Sequence, residues 1–196
     1  TLTTSSAASD VYKRQLNLVY IAKSLGLNKV ADYWHQVILM NNYQRDRFAK
    51  NSIKTLYSTV SGKTIVFVGW AFKKDTNDSR ESAAIYVADL LIDEQATVKV
   101  YDPKVTSAQM QSDINKLDSR SEDENTNYLK TESDPYAALQ GAHAVAILTE
   151  WGEFNKYDWQ RIYYNMQKPA FVFDGRNILD RGVLETIGFI YKGIGF

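Results

Sequence analysis

From residue 63 onward, short runs of β-branched and aromatic residues alternate with stretches whose apolar positions recur at helical spacing. The runs at 64–68 (TIVFV), 97–101, 144–148, 170–173 and 189–192 predict strands, and the patterns at 80–93, 134–140 and 158–166 predict helices between them. Strands separated by helices imply βαβ crossovers, so the predicted fold class is α/β, with a doubly wound, mostly parallel Rossmann-like sheet. Upstream, residues 16–25 predict a short apolar helix stopped by Gly26. Beyond Asn28, a candidate cap, Val30, Ala31, Trp34, Ile38, Phe48, Leu56 and Val60 keep a helical period until Ser61 and Gly62 end it. About 32 residues at 1.5 Å each make a rod of roughly 48 Å, longer than one small domain needs. It predicts a connector between domains or a surface that packs on a partner, with two core helices broken near Asn41 and Asn42 as the alternative. Residues 111–130 are polar, include the acidic run SEDEN, and predict an exposed excursion of low order.

The N-terminal stretch 1–15 is rich in Ser, Thr and Ala without a sustained period. It predicts a loose leader, an artefact of cloning or transcript assembly in preference to a transit peptide. The expected layout is thus a leader at 1–15, a helical connector and interface at 16–61, and a Rossmann-like domain at 62–196. Composition acts on this picture by exclusion. Lys plus Arg and Asp plus Glu balance at 23 each, which speaks against nucleic acid or an anionic membrane as partner and for small molecules or other subunits. With Cys 0, this chain carries no disulfide, thiolate metal site or cysteine nucleophile. No apolar run approaches the roughly 20 residues a bilayer requires, and no secretory signal opens the sequence, so a cytoplasmic location is expected.

Candidate chemistry concentrates in residues 69–82, GWAFKKDTNDSRES, which follow the first predicted strand. Asp78-x-x-Glu81 ahead of Ala84, Ile85, Ala88, Leu91 and Ile92 predicts a helix start, placing the lysines and Arg80 on a strand-to-helix crossover, where open α/β sheets bind ligands. A cation in the first helical turn opposes the macrodipole, so an anion belongs beside Arg80: Asp78, Glu81 or a phosphate. The G-x-G-x-x-G spacing of a dinucleotide cradle is absent, since Trp70, Ala71 and Phe72 follow Gly69. Charged side chains are therefore expected to do the binding. Asp102, at the end of the second strand, stands where a ribose carboxylate would sit, yet the following Pro103 favours a turn. His35 and His143 read as structural, and Glu150 and Trp151 as equally open to either role. Arg176, after the 170–173 strand, can fork onto a phosphate or sugar oxygens, or pair with Asp174 or Asp180.

GWAFKKDTNDSRES resembles the G-F-A-F-K-x-x-T-x-D-x-R-x-S segment of the nucleotide-sugar dehydrogenases. YDPKV at 101–105, GAHAVAILTEW at 141–151 and FDGRNILD at 173–180 resemble the UDP-glucose 6-dehydrogenase group of that family. The resemblance runs from about Leu16 to the C-terminus and covers only the second half of such an enzyme. It implies oxidation of UDP-glucose to UDP-glucuronate with two NAD+ in succession, a cysteine thiolate holding the intermediate aldehyde as a thiohemiacetal. It implies that Phe72, Lys73 and Arg176 contact the nucleotide-sugar, that Arg80 reaches NAD, and that the long helix contributes to a homo-oligomer. The family's cysteine lies in G-G-S-C-F-Q-K-D. Here A-S-D-V-Y-K-R puts Asp10 at the cysteine, Lys13 at the lysine, a position tied to cofactor binding, and Arg14 at the aspartate. The expectation is a nucleotide-sugar-binding half that is inactive alone. The alternatives are a non-catalytic nucleotide-binding or oligomerisation module, or a dehydrogenase of a UDP-aminosugar or GDP-mannose; a receiver-like domain lacks its acidic pair after the first strand.

Overall fold

The computed structural model describes the backbone of residues 7–195 and side chains from Leu16 to Gly195. Six strands, all parallel, form one sheet in the order β3-β2-β1-β4-β5-β6: β1 Thr64–Val68, β2 Thr97–Tyr101, β3 Leu129–Thr131, β4 Ala144–Ile147, β5 Phe171–Asp174 and β6 Ile190–Gly193. The central strands read as continuous apolar runs because helices cover both faces. Residues 65–68, 144–147 and 171–174 are buried throughout. The strand order reverses between β1 and β4, which opens a crevice at their carboxyl ends. Register makes those ends level: Val68 sits beside Ile147, and Ile147 beside Asp174.

Two helices precede the sheet, α1 Ala7–Ser24 and α2 Asn28–Thr55. The long pattern is one unbroken helix of 28 residues, with Leu27 and not Asn28 at its cap. At 1.5 Å per residue it spans about 42 Å. Its C-terminal half joins the main core through Phe48 and Ala49, as does Leu56, the residue that caps it. The N-terminal half shares with α1 only a small cluster of Val19, Ala22, Ala31 and Ile38. Helix α1 begins well before the apolar pattern at Leu16, within the stretch expected to be a loose leader.

Two further expectations are corrected. Helix α3, Ala83–Asp93, starts later than the Asp78-x-x-Glu81 pattern implies, because Ser82 is its cap and accepts from the Ala84 amide. Arg80 is consequently in the loop ahead of the helix, outside its first turn. The polar stretch 111–130 is ordered: α4 Ser107–Asn115, α5 Glu122–Tyr128 and the edge strand β3. Its acidic run is a helix start, in which the Ser121 hydroxyl and the Glu124 carboxylate each accept from the other's backbone N–H. Few apolar positions were needed because buried Asn125 and Asp113 are satisfied, Asn125 donating to Asn115 and Asp113 accepting from Trp70 and Gln109. The remaining helices are α6 Pro135–Leu139 and α7 Trp159–Asn165, started by Asp134 and Asp158, and α8 Arg181–Ile187, whose short turn escaped the periodicity.

Candidate functional site at the carboxyl end of the sheet

The chain leaves β1, β4 and β5 at one level, and close packing of the three exits shapes the site. A Cβ at Gly69, whose φ is +101°, would lie 2.5 Å from Thr149 Cβ, so only glycine lets the β1 and β4 exits touch there. Thr149, fully buried, donates its hydroxyl to Ala71 O at 2.6 Å. The backbone after β1 offers no phosphate cradle. Trp70 N and Ala71 N both donate to Asp102 Oδ2, at 2.7 and 2.9 Å, and Trp70 itself is fully buried. Asp102 also accepts from the Trp151 indole and from the amides of Lys104 and Val105, so both its oxygens are committed to loop closure. It is the turn residue that Pro103 suggested, and Trp151 is structural with it.

What the loops present instead is a hollow of about 370 Å³, bounded by α2 on one side and by residues from the three exits on the other. Phe72 and Lys73 come from β1, Glu150 from β4, and Arg176 from β5. The Lys73 ammonium nitrogen exposes less than 1 Å² and has no hydrogen-bond partner among the described residues. Arg176 is held more firmly. Its Nε donates to Leu148 O at 2.8 Å and lies 3.4 Å from Glu150 Oε2, and its Nη2 donates to Phe72 O at 3.4 Å. Of the two carboxylates weighed as its partner, Asp180 caps the 181–187 helix and accepts from the Val183 amide, while Asp174 is fully buried and accepts from the amides of Arg176, Ile178 and Leu179 and from the Tyr191 hydroxyl. That clamp shapes the β5 turn while Arg176 points its fork across the hollow's edge.

Three of the residues singled out in the sequence, Phe72, Lys73 and Arg176, thus line one hollow. Arg80 does not. It is exposed, and its guanidinium meets Asp78 at 2.8 and 2.7 Å, which holds its pKa above the ordinary value first through that hydrogen bond and then through the charge of Asp78. Of the anions weighed for Arg80, Asp78 is the one beside it. Asp10 and Lys13 lie outside the described side chains. His35 is exposed on α2, and His143 accepts from the Thr64 amide through Nδ1. No metal-ligand cluster occurs among the described residues.

The far wall was not anticipated. Asn41, Gln44, Arg45 and Phe48 of α2 line the hollow, and so does Glu81. Glu81 is in the left-handed region, φ 59°, and its carboxylate accepts from the Tyr86 hydroxyl at 2.7 Å. The Arg45 guanidinium stacks on the Tyr86 ring 3.8 Å from its centroid and also bonds Asn42. Burial and then the bond to Glu81 push the Tyr86 phenol up to about 12. A polar face at helical spacing on α2 was a signal available in the sequence, but nothing in one sequence says what such a face looks toward.

Residues 66–181 match the model of the UDP-glucose/GDP-mannose dehydrogenase family, UDP binding domain. The chain is 47% identical over 189 residues to UDP-glucose 6-dehydrogenase 2 of rice (Oryza sativa subsp. japonica), 48% over 185 residues to UDP-glucose 6-dehydrogenase of Bos taurus, and 49% over 183 residues to that of Caenorhabditis elegans. These alignments take in 92 to 93% of this chain and only 37 to 39% of those relatives. Among solved structures, a UDP-glucose dehydrogenase from the archaeon Pyrobaculum islandicum superposes with a TM-score of 0.63 at 26% identity, over 91% of this chain and 35% of that one. An NDP-N-acetyl-D-galactosaminuronic acid dehydrogenase from Methanosarcina mazei, 22% identical with a TM-score of 0.61, shares the fold. On both the family match and the identity to these relatives, the chain belongs to the UDP-glucose/GDP-mannose dehydrogenase family and carries its UDP binding domain.

Proposed function

We propose that this domain grips the diphosphate of a nucleotide-sugar in the hollow between α2 and the exits of β1, β4 and β5, as the substrate-holding part of an NAD-dependent UDP-glucose 6-dehydrogenase. The observation that carries the reading is the buried Lys73 ammonium, without a hydrogen-bond partner among the described residues, set in a hollow that Arg176 also lines. A buried cation left unpaired is costly, and a phosphate oxygen is a partner that would offset the cost. The Arg176 fork, fixed by Leu148 O and Phe72 O, can add a second charge-assisted contact in a set direction. Phe72 and Phe48 supply apolar walls.

NAD, when bound to such an enzyme, supplies the hydride acceptor. The dinucleotide does not fit this domain's own β1 turn, because Trp70 N and Ala71 N are consumed by Asp102. This chain's residues bind and orient the sugar nucleotide, and Arg80, exposed beside Asp78, reaches the NAD held by another domain in this reading. Residues 16–61 act as the connector. Leu18, Tyr20, Tyr33, Met40 and Tyr43 are exposed along α1 and α2, with Leu25 in the turn between them, and an apolar surface of that extent supports packing on a second copy of the chain or on another domain. No helix among the described residues is long and apolar enough to cross a membrane, and we expect the enzyme in the cytoplasm. Calorimetric titration of the chain with UDP, UDP-glucose and GDP-mannose tests the binding claim. Preference for the uridine ligands is expected, with binding of all three weakened in Lys73→Met, and binding that ignores Lys73 refutes the site. A protein joining this domain to the family's NAD-binding domain and cysteine-bearing segment is expected to form two NADH per UDP-glucose.

A further inference from the structure

The hollow holds two carboxylates as well as cations, and they are differently employed. Glu150 is engaged, with Oε1 receiving the Lys74 amide at 3.4 Å and Oε2 beside Arg176 Nε. Glu81 uses only Oε2, on Tyr86. Its other oxygen has no partner among the described residues, and the neighbouring lining positions, Ala83 and Val87, are short side chains that let a ligand approach. The group is also expensive to hold there. A non-glycine residue at φ 59° costs of order 1 kcal/mol, and such strain tends to persist where the surroundings enforce it for a purpose. The surroundings do enforce it: Tyr86 of α3 anchors the carboxylate, and Arg45 of α2 lies on the far side of the Tyr86 ring. A bare carboxylate is a poor neighbour for a diphosphate, yet a good acceptor for sugar hydroxyls.

We propose that Glu81 is a specificity-determining residue of the hollow, accepting hydrogen bonds from hydroxyls of the ligand's sugar while Lys73 and Arg176 take its phosphates. This rests on the nucleotide-sugar reading above. Tyr86 and Arg45 are positioning residues that fix the direction of the free oxygen. Charge alone predicts the opposite consequence of removing Glu81, since a carboxylate repels phosphate; the two accounts therefore differ in sign.

The test is NMR titration of the full chain and of Glu81→Gln and Glu81→Asn with inorganic pyrophosphate, UDP and UDP-glucose, alongside urea denaturation. Pyrophosphate, which has no hydroxyl, is expected to bind the variants as tightly as the unaltered chain or several-fold tighter. Ligands whose hydroxyl meets Glu81 are expected to bind about tenfold more weakly, the scale of a charge-assisted hydrogen bond. Weakening confined to UDP-glucose assigns the contact to the hexose, and weakening shared by UDP assigns it to the ribose. Asparagine tolerates the left-handed region, and that relief offsets the lost bond to Tyr86, so Glu81→Asn is expected to stay folded while losing affinity. Equal effects on all three ligands, unchanged affinities, or a loss explained by unfolding would overturn the proposal. Absence of any binding by the unaltered chain refutes the hollow itself as a phosphate site, and with it the role of Glu81.

Discussion

Replacing Lys73 by Met should make the unliganded chain more stable and its nucleotide binding weaker. The Lys73 nitrogen exposes less than 1 Å² and meets no acceptor among the described residues, while methionine keeps a similar stem and discards the charge. A buried polar group without a partner costs about 1–3 kcal/mol, and some of this is recovered by local relaxation, so a gain of about 1–2 kcal/mol is expected. For a chain of this size each kcal/mol moves Tm by about 2–4 °C, giving a rise of about 2–8 °C. Binding moves the other way. Losing one charge-assisted hydrogen bond to phosphate removes about 1.5–3 kcal/mol, a 10-fold to 150-fold weaker Kd for UDP. Thermal unfolding with and without UDP reads both quantities, since the ligand-induced rise in Tm should shrink as the baseline Tm climbs. A variant that melts lower and binds UDP unchanged would show that the ammonium serves the fold and would remove the main support for the site.

Gly69→Ala places a Cβ 2.5 Å from Thr149 Cβ at a φ of +101°, and is expected to cost about 2–4 kcal/mol in urea denaturation; a change within about 0.5 kcal/mol would mean that the β1 and β4 exits part easily. Asp102→Asn turns one of two oxygens that receive five N–H groups into a donor, so stability should fall by about 3 kcal/mol with UDP affinity of the folded chain preserved. Affinity lost at intact stability would revive the ribose-binding role. Raising the pH should weaken the fold between about 10 and about 12. The Tyr86 phenol ionises near 10.0 when unfolded and near 12 when folded, so its contribution is complete below 10.0 and gone once pH passes the folded value. Tyr86→Phe should flatten that part of a stability-versus-pH curve, and an unaltered slope would count against the burial and the Glu81 bond that together raise the phenol.

The alternation of TIVFV-like runs with helical periods determined the fold class, because a parallel strand covered on both faces must be apolar throughout and its crossover must be a helix. The segment 69–82 marked itself for the same kind of reason: no phosphate can lie against Trp70, Ala71 and Phe72, so the lysines beside them had to be the binding groups if anything there binds. The helix starts at Ser121 and Ser82 were harder. A capping box in SEDEN looks like an acidic loop until its amides are seen to bond, and Asp78-x-x-Glu81 resembles such a box while the chain waits for Ser82. Only the tertiary structure decided which charges face one another. Lys73 and Arg176 lie 103 positions apart in sequence (176 − 73) and share a hollow because Val68, Ile147 and Asp174 stand level across three strands. Arg80, seven positions from Lys73 (80 − 73), points elsewhere because Asp78 claims it. Local spacing fixes which element a side chain rides on, but its neighbours across space depend on register and crossover, and those are set by how the whole core packs.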